Sequence, residues 1–537
     1  MTRITTYKDK KLLIIDDMPE MRSALRSQAS SIGFEQISVC GNVRDALDTL
    51  RGGRFDVILC DYNLGPGTDG QQLLEHLRAR RLISRGTLYI MVTAEKNYDS
   101  VITAAECLPD DYLLKPFTAE TFRQRLERLL ERKRRLARVD ALQDAERWAE
   151  VVSACDEIIA ARDRYLVDAM RIKGNALFMD GRYAEAEAFY REAIAMRPMP
   201  WARLGLARAQ RQLGNNAARA TLETLIAESP QLMAAYDLLG HVHADEGNTE
   251  AALRVLDSAA ARSPRSLNRL RAIASVAEEA GDYARVQDSL DKVVRQTRHT
   301  PLRDPGDYAR LGKALTVTDQ ADKALELVDD ARSTFREDGG GPALAAIEAL
   351  AHQRMGAPDK AAAALQRALD GDLGKLSPEA LLTVANACLA SGDSARGEEL
   401  LKRAVQTNPE AKAVQLQVTR IMSEHGIADH AEKLVSDSVQ EVVQLNNDAV
   451  RLGKEGRIGE AAAMLTAAAD RLPGNLQIVA NAAYALLVDM LASGSDATRL
   501  ENARRFREHL RKESPGHRKL ADIDALWARL QPEEGGG

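Results

Sequence analysis

Five side chains in the first quarter of the chain have the types and positions for chemistry at phosphorus. Asp16 and Asp17 close the run KLLIIDD, Asp61 closes FDVILCD, Thr93 closes TLYIMVT, and Lys115 follows DYLL. Three carboxylates gathered in one place repel one another unless a cation joins them. An all-oxygen donor set suits a hard divalent ion, and Mg²⁺ keeps several waters while using few carboxylates. A carboxylate flanked by Mg²⁺ and an ammonium can accept a phosphoryl group, because both cations offset its repulsion of the incoming oxygens. A nearby hydroxyl can hydrogen-bond one of those oxygens.

Such a gathering needs elements that end at one place. Short apolar runs alternate with helical patterns over the first 130 residues: KLLII, ISVC, FDVILC, TLYIMV and DYLL, each followed by a helix-period segment. Five strands, each followed by a helix, predict a doubly wound parallel sheet covered on both faces. Sheets of this kind carry their sites at the carboxyl ends of the strands, where all five residues fall.

The constellation resembles the receiver domain of bacterial two-component response regulators, of chemotaxis type and flavodoxin-like fold. The matching motifs are IIDD, VILCDYNLGPGTDG, IMVTA and YLLKPF, over residues 11–131. The resemblance implies that Asp61 is the phosphoacceptor, with Thr93 and Lys115 holding the phosphoryl group. Asp17 would bind Mg²⁺ directly and Asp16 largely through water, Asp61 itself and the backbone carbonyl of Asn63 completing the protein's share of the shell. The Lys115–Pro116 peptide is expected to be cis. Tyr112 falls at the family's switch aromatic and would turn inward as Thr93 moves toward the phosphate. Asn63 and Glu95 occupy two tuning positions, and this pair resembles that of receivers whose phosphoaspartate is short-lived. The loop departs mildly from the family's pattern, carrying Gly65 and a Thr68 after GPG.

After about residue 134 the strand signals vanish and Ala, Leu, Arg and Glu dominate. The segments RIKGNALFMDGRYAEAEAFYREAIAMRP and YDLLGHVHADEGNTEAALRVLDSAAARSP share one template. From Gly174 the gaps to Ala186, Tyr190, Ala193 and Pro198 are 12, 16, 19 and 24, and from Gly240 the gaps to Ala252, Leu256, Ala259 and Pro264 are the same. Small residues at fixed positions let two helices approach closely while a large one fills the gap beside them. The template recurs with a period near 34, that of the tetratricopeptide repeat, giving about nine or ten repeats between residues 134 and 516. The region AVQLQVTRIMSEHGIADHAEKLVSDS reads as a degenerate repeat, LASGSDATRLEN as a longer turn, and HRKLADIDALWARL as a closing helix before a frayed tail. The expected organisation is a receiver over 1–131, a helical joint and first degenerate repeat over 132–170, an all-α solenoid over 171–516, and the closing helix and tail over 517–537.

No Gly or Pro interrupts Thr118 to Trp148, so the receiver's last helix is expected to run on into the first repeat as a stiff rod. Its cluster Arg132–Arg135 reads as a solvated face paired with Glu127 and Glu131. The run around Gly339–Gly341 is the soft point of the array. Arg171 and Asn175, four apart on one helix face, match two of the five positions with which such repeats hold a peptide carboxylate, but the next repeats lack the rest, with Leu238 where a basic residue would be needed, so the pair reads as solvated. His241 and His243 are two apart on a helix and point apart, so they form no metal site.

A net charge of −6 over 537 residues argues against general nucleic-acid affinity. Five scattered cysteines give neither a disulfide framework nor a zinc site and suit a cytoplasmic protein. No apolar run approaches the roughly 20 residues of a membrane helix. The expectation is a response regulator, not an enzyme, that takes phosphate from a sensor histidine kinase or phosphotransfer protein. Its repeat groove would then bind a protein partner, another signalling enzyme among the candidates, according to the phosphorylation state. The alternative is a phosphate sink or kinase-docking adaptor whose partner binding ignores phosphorylation.

Overall fold

The β-branched and leucine-rich runs pair as expected. In the computed structural model, which describes residues 7–65, 69–80, 82–94, 109–298, 300, 302–335, 341–514, 517 and 519–530, the strands are β1 (Lys11–Ile15), β2 (Gln36–Cys40), β3 (Val57–Asp61), β4 (Leu88–Thr93) and β5 (Asp111–Leu114). They form one sheet in the order β2-β1-β3-β4-β5, every pair parallel. Alternation along the strands builds two cores. Leu12, Ile14, Leu59, Ile90, Val92 and Leu113 face Leu25, Phe122 and Leu126. Leu13, Ile15, Ile58, Tyr89, Met91 and Tyr112 face Leu47, Leu50, Leu73 and Leu77. Chain order reverses between β1 and β3, which opens a crevice above their carboxyl ends.

Three helices of this domain follow their sequence signals: α1 (Pro19–Ser31) opens on proline, α2 (Val43–Gly52) is capped by Asn42, and α3 (Gly70–Ala79) is capped by Asp69. The helix expected over residues 98–108 lies outside the described residues, as do Glu95, Thr68 and most of the glycine run before Gly341.

The chain divides into two units, Met1–Ala280 with Asp291–Arg303, and Gly281–Leu290 with Asp304–Gly537. In the first, α4 (Ala119–Asp144) is one uninterrupted helix of 26 residues. Its first half gives Phe122, Leu126 and Leu129 to the sheet. Its second half gives Leu136 and Val139 to the core of the helices that follow. It stops where Glu146 adopts a left-handed φ of 55°. Helix pairs then succeed one another: Trp148–Ala160 behind α4, Leu166–Met179 with Tyr183–Met196, Pro200–Gln212 with Ala217–Glu228, and Met233–Asp245 with Thr249–Arg262. Leu267–Ala280 and the end of Tyr283–Thr297 complete this unit. The template's small residues work as expected. A Cβ on Gly174 would lie 2.5 Å from the Tyr190 ring and one on Gly205 2.2 Å from it, so the ring is clasped between glycines on the helices before and after its own.

A second periodic signal went unread in the sequence. A left-handed residue stands between the two helices of nearly every pair: Gly181, Gly214, Gly247, Gly281, Asp319, Gly356, Gly392, Gly426 and Gly456. Each breaks one helix so that the next can fold back, a conformation that costs glycine little.

The second unit continues the pattern through Pro305–Val317 with Ala321–Thr334, Gly341–Arg354 with Pro358–Leu369, and Pro378–Ala390 with Ser394–Thr407. The region read as a degenerate repeat holds Lys412–Glu424, a single 3₁₀ turn, and one long helix, Ala431–Lys454. That helix packs on Lys412–Glu424 and opens the next pair, with Ile458–Arg471, through Val442, Leu445 and Ala449. The expected longer turn is absent. Gly494 to Asp496 suffice, and the extra residues lengthen the helices Leu476–Ser493 and Ala497–Glu513. Leu476–Ser493 is long and apolar enough to cross a membrane by length and composition, the one such helix among the described residues. Gln477, Asn481 and Asp489 interrupt it, so its sequence holds no unbroken apolar run of that length. Here Ile478, Val479, Leu486, Leu487 and Met490 are buried against Phe506 and Leu510 and against Ile523 and Trp527 of the last helix, Leu520–Leu530.

Candidate phosphoacceptor site

The parallel sheet delivers Asp16, one residue past β1, and Asp61, the last residue of β3, side by side. The register that pairs Ile15 with Cys60 leaves no other choice. Asp16 is fully buried. Its carboxylate accepts from the backbone N–H of Met18 (2.9 Å) and from Lys115 Nζ (3.0 Å), while its carbonyl accepts from Arg22 (2.7 Å). Lys115, one residue past β5, donates also to Asp61 (2.9 Å). One ammonium therefore spans two carboxylates. Asp17 is exposed, and carboxylate oxygens of Asp16, Asp17 and Asp61 all lie within 4.8 Å of one another.

Burial raises the Asp61 pKa, Lys115 pulls it back, and the negative charges of Asp16 and Asp17 push it up again; the net shift is upward. Burial alone would lower the Lys115 pKa, but its hydrogen bonds to Asp61 and Asp16 outweigh that and raise it. The cluster is thus short of positive charge, and its open carboxylate oxygens fit a hard divalent cation. Receiver domains bind Mg²⁺ at an acidic cluster of this composition.

The remaining candidates fall around this centre. Thr93, buried at the end of β4, accepts the Lys115 backbone N–H at its carbonyl (2.7 Å). The Lys115–Pro116 peptide is cis. Tyr112 is 7% exposed, its ring turned into the core beside Tyr89 and Met91. Asn63 is exposed, and its backbone forms an antiparallel bridge with that of Asp69 across the loop. Gly65 brings the same loop against Asp17, where an added Cβ would stand 3.5 Å from the carboxylate.

Sequence reasoning missed what anchors this loop from behind. Asp69 and Gln72 form a reciprocal capping box at the start of α3. The signal D-x-x-Q was present in DGQQ. Gly70 is packed so tightly that an added Cβ would meet the Asp61 carbonyl oxygen at 2.3 Å. Gln72 also reaches the repeats, donating to the Arg265 carbonyl (2.9 Å) and to Gln296 (3.3 Å). The Arg265 charge acts on the buried Asp69 carboxylate.

The expected pairing of the Arg132–Arg135 cluster is corrected. Arg123, not the cluster, takes Glu127 (2.7 Å), and Glu131 pairs with Arg164 (3.1 Å). Arg132 bonds Asp168 (2.7 Å), Arg135 bonds Asp163 (2.6 Å), and Lys133 bonds Asp110 (3.0 Å), the residue before β5. These acids come from the residue before β5 and from the turn and helix after Trp148–Ala160, which sequence spacing along one helix does not reveal. Arg171 is exposed and lies in the field of Arg132, Asp168 and Asp110, so its charge belongs to this joint; Asn175 is half-buried one turn on.

Residues 12–152 match the response regulator receiver domain family. Residues 136–199, 177–241 and 348–412 match tetratricopeptide repeat families. The chain is 34% identical over 125 residues to the chemotaxis protein CheY-3 of Vibrio cholerae, covering 23% of this chain and 95% of that protein. It is 34% identical over 122 residues to the chemotaxis protein CheY of Pseudomonas aeruginosa, covering 23% and 97%. A tetratricopeptide repeat protein from Parabacteroides merdae aligns with 48% of this chain and 98% of its own, at 15% identity and a TM-score of 0.35.

Proposed function

Since the chain belongs to the response regulator family, its receiver domain joined to tetratricopeptide repeats, we propose that Asp61 is phosphorylated and that its state governs which protein the repeats hold. The observation that carries this reading is the ammonium of Lys115 shared between Asp16 and Asp61, with three carboxylate oxygens clustered within 4.8 Å. A phosphoryl group would leave a donor histidine as its P–N bond breaks and join the Asp61 carboxylate through a new P–O bond. The donor is a sensor histidine kinase or a phosphotransfer protein.

Asp16, Asp17, Asp61 and the Asn63 carbonyl would hold Mg²⁺, which supplies positive charge against the phosphoryl oxygens. Lys115 stays beside the acceptor and neutralises a further share of that charge. The Thr93 hydroxyl, on the neighbouring strand end, hydrogen-bonds a phosphoryl oxygen. Its movement toward the phosphate is matched by Tyr112, whose ring is already in the core. The repeats supply a protein-binding surface, and the receiver's two states bias its partner.

The test has two parts. Acetyl phosphate with Mg²⁺ should label wild-type protein at Asp61 and leave Asp61→Asn unlabelled; label elsewhere on the wild type contradicts the assignment. Purified protein with Mg²⁺ and beryllofluoride should then retain a set of cell proteins different from that of Asp61→Asn. Identical sets would favour a phosphate sink or a docking adaptor over a gated output.

A further inference from the structure

Gln72 is 7% exposed, and its single amide faces two parts of the molecule at once. Its Oε1 accepts the backbone N–H of Asp69 (3.2 Å), and its own backbone N–H donates to the Asp69 carboxylate (2.8 Å). Its Nε2 donates to the carbonyl of Arg265 (2.9 Å) and to Oε1 of Gln296 (3.3 Å). Arg265 lies just before the helix Leu267–Ala280, and Gln296 next to last in Tyr283–Thr297. An amide has one oxygen and one NH₂ group, so both sets of partners fix the same orientation. A flipped amide would set oxygen against the Arg265 carbonyl and NH₂ against the Asp69 N–H. On the other side, the backbone of Asp69 is bridged to that of Asn63, two residues past the acceptor. Gly70, next in the chain to Asp69, donates its N–H to the Tyr62 carbonyl (2.8 Å), so hydrogen bonds and the Asp69–Gly70 backbone together link the fifth helix pair of the repeats to the loop carrying Asn63.

We propose that the repeats act in cis on the acceptor site, with Gln72 as the positioning residue. Anchored on Arg265 and Gln296, Gln72 holds the Asn63–Asp69 ladder in the arrangement that receives the cation. By thermodynamic reciprocity, cation binding strengthens the docking of the repeats by the same factor. The proposal rests on the reading of Asp61 and its neighbours as the cation and phosphoryl site. It adds a route by which the state of that site reaches the repeats without passing along α4.

Calorimetric titration of Mg²⁺ alone into the full chain tests it. Gln72→Glu keeps an oxygen for the Asp69 N–H, glutamate being a regular capping-box residue, but has no donor for the Arg265 carbonyl. It should weaken Mg²⁺ binding about 2- to 10-fold, the range that loss of one net hydrogen bond produces. Gln296→Leu, altered only on the repeat side, should weaken it in the same direction by less. The double variant should be no weaker than Gln72→Glu, because both changes cut one link. The melting temperature of the metal-free protein separates this role from a merely structural one, which would lower it and leave the affinity alone. Unchanged or tighter Mg²⁺ binding in Gln72→Glu, or additive losses in the double variant, overturns the proposal. If wild-type protein binds no Mg²⁺ and takes no label at Asp61, the acceptor reading falls and the proposal with it. A binding wild type with an unaffected Gln72→Glu removes the proposal alone.

Discussion

At the scale of single residues, the acceptor site is set by how closely its backbone is packed. Asp61 sits on the last rung of β3 with Gly70 against its carbonyl, where an added Cβ would stand 2.3 Å from the oxygen and 2.8 Å from Met91 Sδ. Backbone cannot yield to relieve such a contact, so Gly70→Ala is expected to destabilise the protein by about 1–3 kcal/mol, the usual range for overpacking. A lowered melting temperature checks this; an unchanged one would show that α3 can shift without cost. The convergence of Asp16, Asp17, Asp61, Thr93 and Lys115 was legible because each stands at the end of an apolar run, and strand ends converge in a parallel sheet. Asp69, Gly70 and Gln72 were less legible. A glycine after an acid reads as an ordinary turn, and the near approach that requires it involves β3 and β4, distant in sequence.

Among the elements, α4 carries two cores along one axis. Phe122, Leu126 and Leu129 belong to the receiver, and Leu136 and Val139 to the repeats. The unbroken helix was readable from the lack of Gly and Pro. Its electrostatics were not, because its partners Asp110, Asp163 and Asp168 come from other elements. On this helix Asp140 is 8% exposed, and burial pushes its carboxyl from the ordinary 3.8 up to about 6. Lys133 and Arg132 pull it down, and Asp110 and Asp144 push it up. Protonated in both folded and unfolded states, the group makes no difference below about pH 4. As pH rises toward 6 it ionises in the unfolded chain first, and the folded state pays a penalty that is complete above pH 6. Asp140→Asn should therefore be more stable than wild type by about 1–3 kcal/mol at pH 7.5, with the advantage vanishing near pH 4. Denaturant melts of both proteins at the two pH values measure it. A variant less stable at pH 7.5 would mean that attraction to Lys133 outweighs burial.

At the scale of the whole molecule, repetition made most of the chain readable. The Gly174 and Gly240 templates fixed the period, and the clasp of Tyr190 between Gly174 and Gly205 shows why those positions must stay small. Reading failed where the array departs from its own rule. Ala431–Lys454 fuses elements into one helix of 24 residues with no glycine until Gly453, and the Leu476–Ser493 pair lengthens its helices rather than its turn. The contact of Gln72 with Arg265 and Gln296 was also hidden, since these residues are 193 and 224 positions away from it. It gives the acceptor site a second connection to the repeats beside α4. Hydrogen–deuterium exchange of the full chain, with and without Mg²⁺ and beryllofluoride, tests the central claim that the state of Asp61 reaches the repeats. The account predicts changed protection in α3 and in the helices Leu267–Ala280 and Tyr283–Thr297, absent in Asp61→Asn. Changes confined to residues before Ala119, with the repeats exchanging alike in both states, would contradict it.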